Sequence, residues 1–312
     1  MKKITSILIT LVCTAILFSS CGNKAQKVGD VRDVFPQEMS GDVKLPEDTK
    51  NLIGDYDASV FDADVNIYYS VSDYSEEYEK TVAEKFGFSQ NDKVNLANSN
   101  SNRYKNDNGD LSIEKDSGDF SLNLNNREKN DITDIEYFNA LGETKLKEFG
   151  VLPEKYCLSG YVMKGGKTDI DDEEGEIAAY GPRFAQKIDG REVVGAGSTL
   201  ICFNSDGEIL SIDSYWHNPI YAAKAKTLSF EEAYARIGGE YSYLATELGS
   251  PDTPLTKVEF DTVNAVYYKN PEYDYYIPMF RFEGTAWSGD RSDVIWAYVI
   301  AIPDLTDDMI QK

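Results

Sequence analysis

Ile177-Ala178-Ala179-Tyr180-Gly181-Pro182-Arg183-Phe184-Ala185-Gln186-Lys187-Ile188, then Asp189-Gly190, then Arg191-Glu192-Val193-Val194 decides the fold class. Two runs rich in Ile, Val, Tyr and Phe are joined by a dipeptide that marks a two-residue hairpin. So short a link cannot return a strand parallel to its predecessor, so the pair is antiparallel.

Working outward, strands are expected over 157–163, 177–188, 191–203 and 208–216, with Asp206-Gly207 marking the last turn. Ahead of them Thr133 and Glu136 form a capping box. The helix they open carries Ile135, Phe138, Leu146 and Phe149 at helical spacing and stops at Gly150, although Gly142 weakens its middle. The same order recurs on both sides. Upstream, Asp73 with Glu76 starts a helix that ends at Gly87 with Tyr78, Val82 and Phe86 on one face. Three short strands with turns at Asn108-Gly109 and Ser117-Gly118 follow. Downstream, Ser229 with Glu232 opens a helix expected to run toward Leu244 and Leu248, bent or interrupted at Gly238-Gly239. Strands over 257–268, 275–283 and 294–302 come next, with Pro278 expected at an edge or a bulge because it has no N–H to donate.

A helix followed by strands, with no helix between successive strands, predicts an α+β class of repeated helix plus antiparallel sheet units. The units are 61–130, 131–227 and 228–312. The same order counts against the alternating α/β lobes of a solute-binding protein.

The middle and last units carry a resemblance. Arg183-Phe184 through Asp189-Gly190-Arg191, Val194-Gly195-Ala196-Gly197 and Asn204-Ser205-Asp206-Gly207-Glu208-Ile209 resemble the strand-turn-strand pattern of PepSY-type domains. So do Leu228-Ser229-Phe230-Glu231-Glu232-Ala233-Tyr234, Tyr267-Tyr268 and the stretch from Tyr276 to Gly284. The ending is also similar to the extracytoplasmic YycH and YycI regulators of a sensor kinase. The resemblance covers roughly 183–302. It implies a cystatin-like helix on a curved antiparallel sheet and a non-catalytic role in modulating a peptidase or sensor outside the membrane.

The N-terminus reads as an address. Lys2 and Lys3 precede a mostly apolar run over 4–18, giving a signal peptide over 1–20 that is too short to span a bilayer stably. Leu17-Phe18-Ser19-Ser20-Cys21-Gly22 looks like a bacterial lipoprotein cleavage box, with Phe18 where leucine is usual. The expectation is a diacylated Cys21 that holds the chain on the outer face of the cell membrane, followed by a solvated tether over 21–60.

Acidic residues number 54 against 31 basic ones, a formal charge of −23. Removing Lys2 and Lys3 with the signal makes the mature chain still more acidic. Nucleic acid and anionic headgroups repel such a surface. Four cysteines reduce to Cys157 and Cys202 in the mature body, and a disulfide between them and a pair of buried free thiols are both open readings. With His217 the only histidine, an HExxH metal site is excluded. No G-x-S-x-G, GxGxxG or GxxxxGK[ST] segment is present. No catalytic residue, metal site or cofactor is therefore read. The acidic stretch Asp169, Asp171, Asp172, Glu173, Glu174 and Glu176 lacks the spacing of a calcium loop and reads as a solvated charge run.

Candidate ligand-binding residues are Tyr215, Trp216 and His217 at a strand end, with Tyr273, Tyr275, Tyr276 and Trp287 near the C-terminus. Rings with polar tips can form a platform for a peptide or a sugar face. Alternation along a strand would instead put every second ring in the core. Three functions are carried forward: first a non-enzymatic binder of an extracytoplasmic protein or peptide, second a glycan-binding accessory lipoprotein, and third a hydrolase with carboxylate chemistry.

Overall fold

The computed structural model describes residues 43–303 apart from 73, 96–98, 130–131, 166–175, 240, 247, 249–253 and 270–273. The signal segment, Cys21, the start of the tether, Asp73, most of the acidic stretch and Tyr273 lie outside the described residues.

The chain enters as β1 (Thr49–Asn51) and β2 (Asp64–Ser70), then α1 (Glu76–Lys85), whose first turn is capped by Ser75 accepting from Tyr78 N at 3.0 Å. A meander follows, β3 (Lys93–Val94), β4 (Ser101–Asn106), β5 (Gly109–Glu114) and β6 (Phe120–Leu124). The β4–β5 loop is Asp107-Asn108, one residue ahead of the Asn-Gly pair, because Asn106 Oδ1 accepts from Asn108 N at 2.8 Å and Gly109 already pairs with Asn106. Next comes α2 (Ile135–Phe149), capped by Asp134 and closed by left-handed Gly150. Gly142 has a reason to sit mid-helix: a Cβ there would lie 2.6 Å from Pro182 Cγ. The absent side chain lets α2 lie close against the sheet.

Then come β7 (Tyr156–Gly165), β8 (Ile177–Ile188), β9 (Arg191–Gly195), β10 (Ser198–Phe203), β11 (Ile209–Ser214) and β12 (Pro219–Lys226). The strand expected over 191–203 is thus two strands. Ala196 N donates to Lys269 O and Gln186 N to Gly197 O, so the chain changes neighbours at that point. The last part holds α3 (Phe230–Ala235), β13 (Ser242–Ala245), β14 (Lys257–Lys269), β15 (Tyr275–Ser288) and β16 (Arg291–Ile300). The Ser229 and Glu232 box caps α3 as expected, but the helix stops at Arg236, not near Leu248. Gly238 turns left-handed at φ +78, and the next residues pair as β13 against β16.

These strands overturn the repeated helix-plus-sheet reading. Among the described residues sixteen strands join in one mixed sheet, in the order β12-β2-β15-β14-β9-β8-β10-β11-β6-β5-β4-β3. Beside that path β1 joins β14, β16 joins β15, β13 joins β16 and β7 joins β8. Both β1 and β9 lie parallel to β14, and the other pairs are antiparallel. Among the described residues three α-helices accompany this sheet, and the cystatin-like unit is not repeated. The physical cause is long-range pairing. β2, from the first expected unit, lies between β12 and β15, so its partners come from the second and third.

Two helices cover one end of the sheet, where Val82, Phe138 and Leu146 bury against Tyr104, Leu111, Phe184, Ile201 and Phe203. At the other end α3 and the segment before β2 cover β14 to β16, with Phe61, Phe260, Phe280 and Phe282 in the core. Val43, Leu45, Ile53 and Tyr56 pack there as well, so the stretch expected to end a tether is part of the folded body from residue 43. Pro278 lies inside β15, not at an edge. Its carbonyl accepts from Ala301 N at 2.9 Å, and its missing N–H falls where the neighbour changes from β2 at Tyr276 to β16 at Met279.

Candidate functional site

Three segments converge where the two ends of the sheet meet: residues 151–155 after α2, the end of β8 with its turn, and the link 215–218 between β11 and β12. Trp216 Nε1 donates to Val151 O at 2.8 Å, and Thr199 Oγ1 donates to the same carbonyl at 3.1 Å. Tyr215 N donates to Ser198 O at 3.0 Å. The carbonyl of His217 accepts from Gln186 Nε2 and from Tyr276 Oη, each at 2.9 Å. The link is therefore pinned to β8, β10 and β15 by buried donors whose loss would cost full desolvation.

Beside it lies a cleft of about 220 Å³. Tyr68, Trp216, Pro153 and Pro219 supply its apolar and aromatic walls, and Glu154, Lys155, Gln186, Lys187, Asp189 and Asn218 its polar groups. Asp189 is held at a left-handed φ of +50 by the turn into β9. Its Oδ2 accepts from Tyr68 Oη at 2.8 Å and Asn66 Nδ2 at 3.0 Å. Tyr267 Oη donates to Asn66 O at 2.8 Å just behind. Burial, and then the bond to Asp189, push the Tyr68 phenol above its ordinary value, so it stays protonated and donating.

The sequence candidates divide. Trp216 lines the cleft, His217 and Tyr276 are buried behind it with Tyr276 Oη bonded to the His217 carbonyl, and Tyr215 is exposed but is not one of the cleft's walls. His217 is buried with Nε2 3.0 Å from Asp119 Oδ1, and Tyr276 is fully buried. They hold the site's framework and do not face a ligand. Tyr275 points to the opposite face of β15, next to Tyr69 with ring centroids 6.4 Å apart. Trp287 is eleven residues beyond Tyr276 on the same strand, roughly 36 Å away at about 3.3 Å per residue, with Lys257 Nζ 4.2 Å from its ring centroid. It belongs to another region. Cys157 and Cys202 are free thiols on strands that flank β8, so the disulfide is not formed.

Sequence reasoning missed Tyr68, Gln186 and Asp189. Asp189 read only as a turn residue, and β2, which carries Tyr68, was not recognised as a strand. The one available signal was Asn218-Pro219, which ends the link beside Trp216. Chemically, the cleft offers ring faces, two lysines and two carboxylates, a set suited to a ligand with both apolar and polar parts.

No protein-family model matches the sequence, and no characterised protein sequence matches it. Among solved structures the chain is similar to the C-terminal domain of Bacillus megaterium YpeB. The identity is 11% and the TM-score 0.39, over 74% of this chain and 95% of that one.

Proposed function

We propose that this chain is a non-enzymatic, lipid-anchored extracytoplasmic binding protein that engages a peptidase, sensor or peptide through the cleft at the sheet junction. The observation that carries the reading is the mounting of Trp216, whose indole N–H is bonded to Val151 O while its ring lines the cleft. A ring so held loses little freedom on binding, which is the property of an interface anchor. The acidic surface favours a protein or peptide over nucleic acid.

The binding test uses a photo-crosslinking residue in place of exposed Asn218 on intact membranes. A defined protein adduct is expected, with its yield falling at least tenfold in the Trp216→Ala background, as losing an anchor worth about 2 kcal/mol or more requires. An adduct unchanged by Trp216→Ala would reject the cleft as the binding site. Anchoring is tested separately: Cys21→Ala should move the protein from the membrane fraction to the medium or leave it unprocessed, and unaltered fractionation would refute lipidation.

A glycan ligand is the second reading, favoured by the juxtaposition of the Trp216 ring with Glu154 and Asn218. Glycan-array binding abolished by Trp216→Ala would select it.

A further inference from the structure

Many lysines on this acidic chain find a carboxylate. Lys93 takes Glu79, Lys105 takes Asp110, Lys147 takes Glu143 and Lys224 takes Asp64, all within 3.2 Å. The two lysines of the cleft do not. Among the described residues neither the Lys155 nor the Lys187 ammonium has a partner in an ion pair or a hydrogen bond, although 54 acidic side chains outnumber 31 basic ones.

The backbone forces the two cations together. Tyr156 pairs with Gln186, so the preceding Lys155 lies opposite Lys187, whose N donates to Lys155 O at 2.9 Å. Side chains directly opposite on antiparallel strands have Cβ atoms about 4.5–5.5 Å apart, and like charges there are destabilising. The acids nearby are engaged elsewhere or stand off. Glu192 faces Lys187 across the β8–β9 turn but is held by Arg281 Nη1 at 3.1 Å. Asp189 Oδ2 is taken by Tyr68 and Asn66. Glu154 lines the cleft and forms no ion pair with either lysine.

Two juxtaposed ammoniums beside the Trp216 ring match a carboxylate that adjoins an apolar group. With Glu154 and Asp189 on the same walls, the cleft suits a single carboxylate and repels a polyanion. Repulsion from the rest of the chain is screened beyond a Debye length of about 8–10 Å, so the local pair decides the contact.

We propose that the cleft's ligand is a peptide that presents one carboxylate to Lys155 and Lys187 and an adjacent apolar side chain to Trp216. Such a preference rests on the reading of the cleft as the binding site, and it names the chemistry that enters. The carboxylate comes from an acidic side chain or from a chain terminus, and the experiment separates the two.

Fluorescein-labelled pools of eight-residue peptides are titrated with the full chain and read by anisotropy. Each pool has one central Glu, Gln or Lys between Leu, Phe, Tyr or Pro residues and an amidated end. A fourth is the Gln pool with a free terminal carboxylate. The Glu pool, the free-acid pool or both should bind at least tenfold more tightly than the Gln and Lys amides, as a charge-assisted contact requires. Lys155→Gln combined with Lys187→Gln should bring the acid pools down to the Gln amide and leave that amide unchanged. Lys155 is exposed and Lys187 half-buried, so the double variant keeps the fold. No binding by any pool, no preference for either acid pool, or a preference that survives in the double variant overturns the proposal. Trp216→Ala tells this failure from failure of the cleft. If it weakens every pool while none is preferred, the cleft stands and its charge preference falls; if it leaves binding unchanged, the cleft itself falls.

Discussion

Glu79→Ala lowers the unfolding free energy by about 3 to 5 kcal/mol, the loss expected when one partner of a buried charged pair is removed. The Glu79 side chain is 4% exposed and is the shared acceptor of four donors. Lys93 Nζ lies 2.5 Å from Oε1, to which Tyr104 Oη also donates, and Tyr74 Oη and Asn102 Nδ2 each lie 2.8 Å from Oε2. Without the carboxylate the fully buried Tyr104 hydroxyl loses its acceptor and Lys93 its counter-charge. A urea melt checks the size of the effect, and a loss below 1 kcal/mol would show that the cluster does not hold α1 to the meander.

Burial pushes the Glu79 carboxyl up, but the bonds from Lys93, Tyr104 and Tyr74 outweigh it and hold the group below its ordinary 4.5. A depressed acid contributes stability that is fully present above the unfolded value and is lost as pH falls through the folded one. The chain therefore loses this contribution as pH drops below about 4.5, and Glu79→Gln flattens the stability profile in that window. An unchanged acid limb in the glutamine variant would contradict the assignment.

Phe280→Ala has a comparable cost, about 3 to 5 kcal/mol, by a different cause. Phe280 is fully buried on β15, between Ala265 of β14 and Val299 of β16, with its ring stacked on Phe61 at 4.3 Å. Truncation removes the contact between the sheet and the segment leading into β2, and strands paired on both sides cannot collapse to fill the space. The midpoint of a guanidinium titration should fall with an unchanged slope. Phe280→Leu should lose less than half as much. Against a total stability of about 5–15 kcal/mol, either alanine variant lies near the limit of folding.

Local chemistry was legible in the sequence, and long-range pairing was not. Ser229 with Glu232 caps α3, Gly150 closes α2, and Asp189-Gly190 turns β8 into β9, because each of these devices works within a few residues. Past Gly238 the apolar spacing of Leu244 and Leu248 continues a helical pattern, while Gly238-Gly239 marks the point where the helix can break, and it is there that the structure ends it. The competing outcome, pairing with β16, depends on residues more than fifty positions away. β2 and β12 escaped notice for the same reason, since alternating Val65, Ile67 and Tyr69 say nothing about which strand will lie beside them. The cleft is assembled by those very pairings, so only Trp216 among its walls was singled out, and it was singled out as a ring at a strand end. His217 and Tyr276 were found for the wrong role: their burial depends on β15 passing beneath the link at 215–218.

The position of β2 constrains how the polypeptide can be made. Tyr69 has Ile220 on one side and Tyr275 on the other, so this segment leaves the ribosome roughly two hundred residues before its second neighbour exists. At about 5–20 residues per second that interval is roughly 10 to 40 s. Until β12 is made, Val65 and Ile67 lack the Ala225 and Ala223 partners of their first neighbour, and the second side of β2 stays open until β15 follows. The sheet around β2 therefore closes only after its final hairpin has been synthesised.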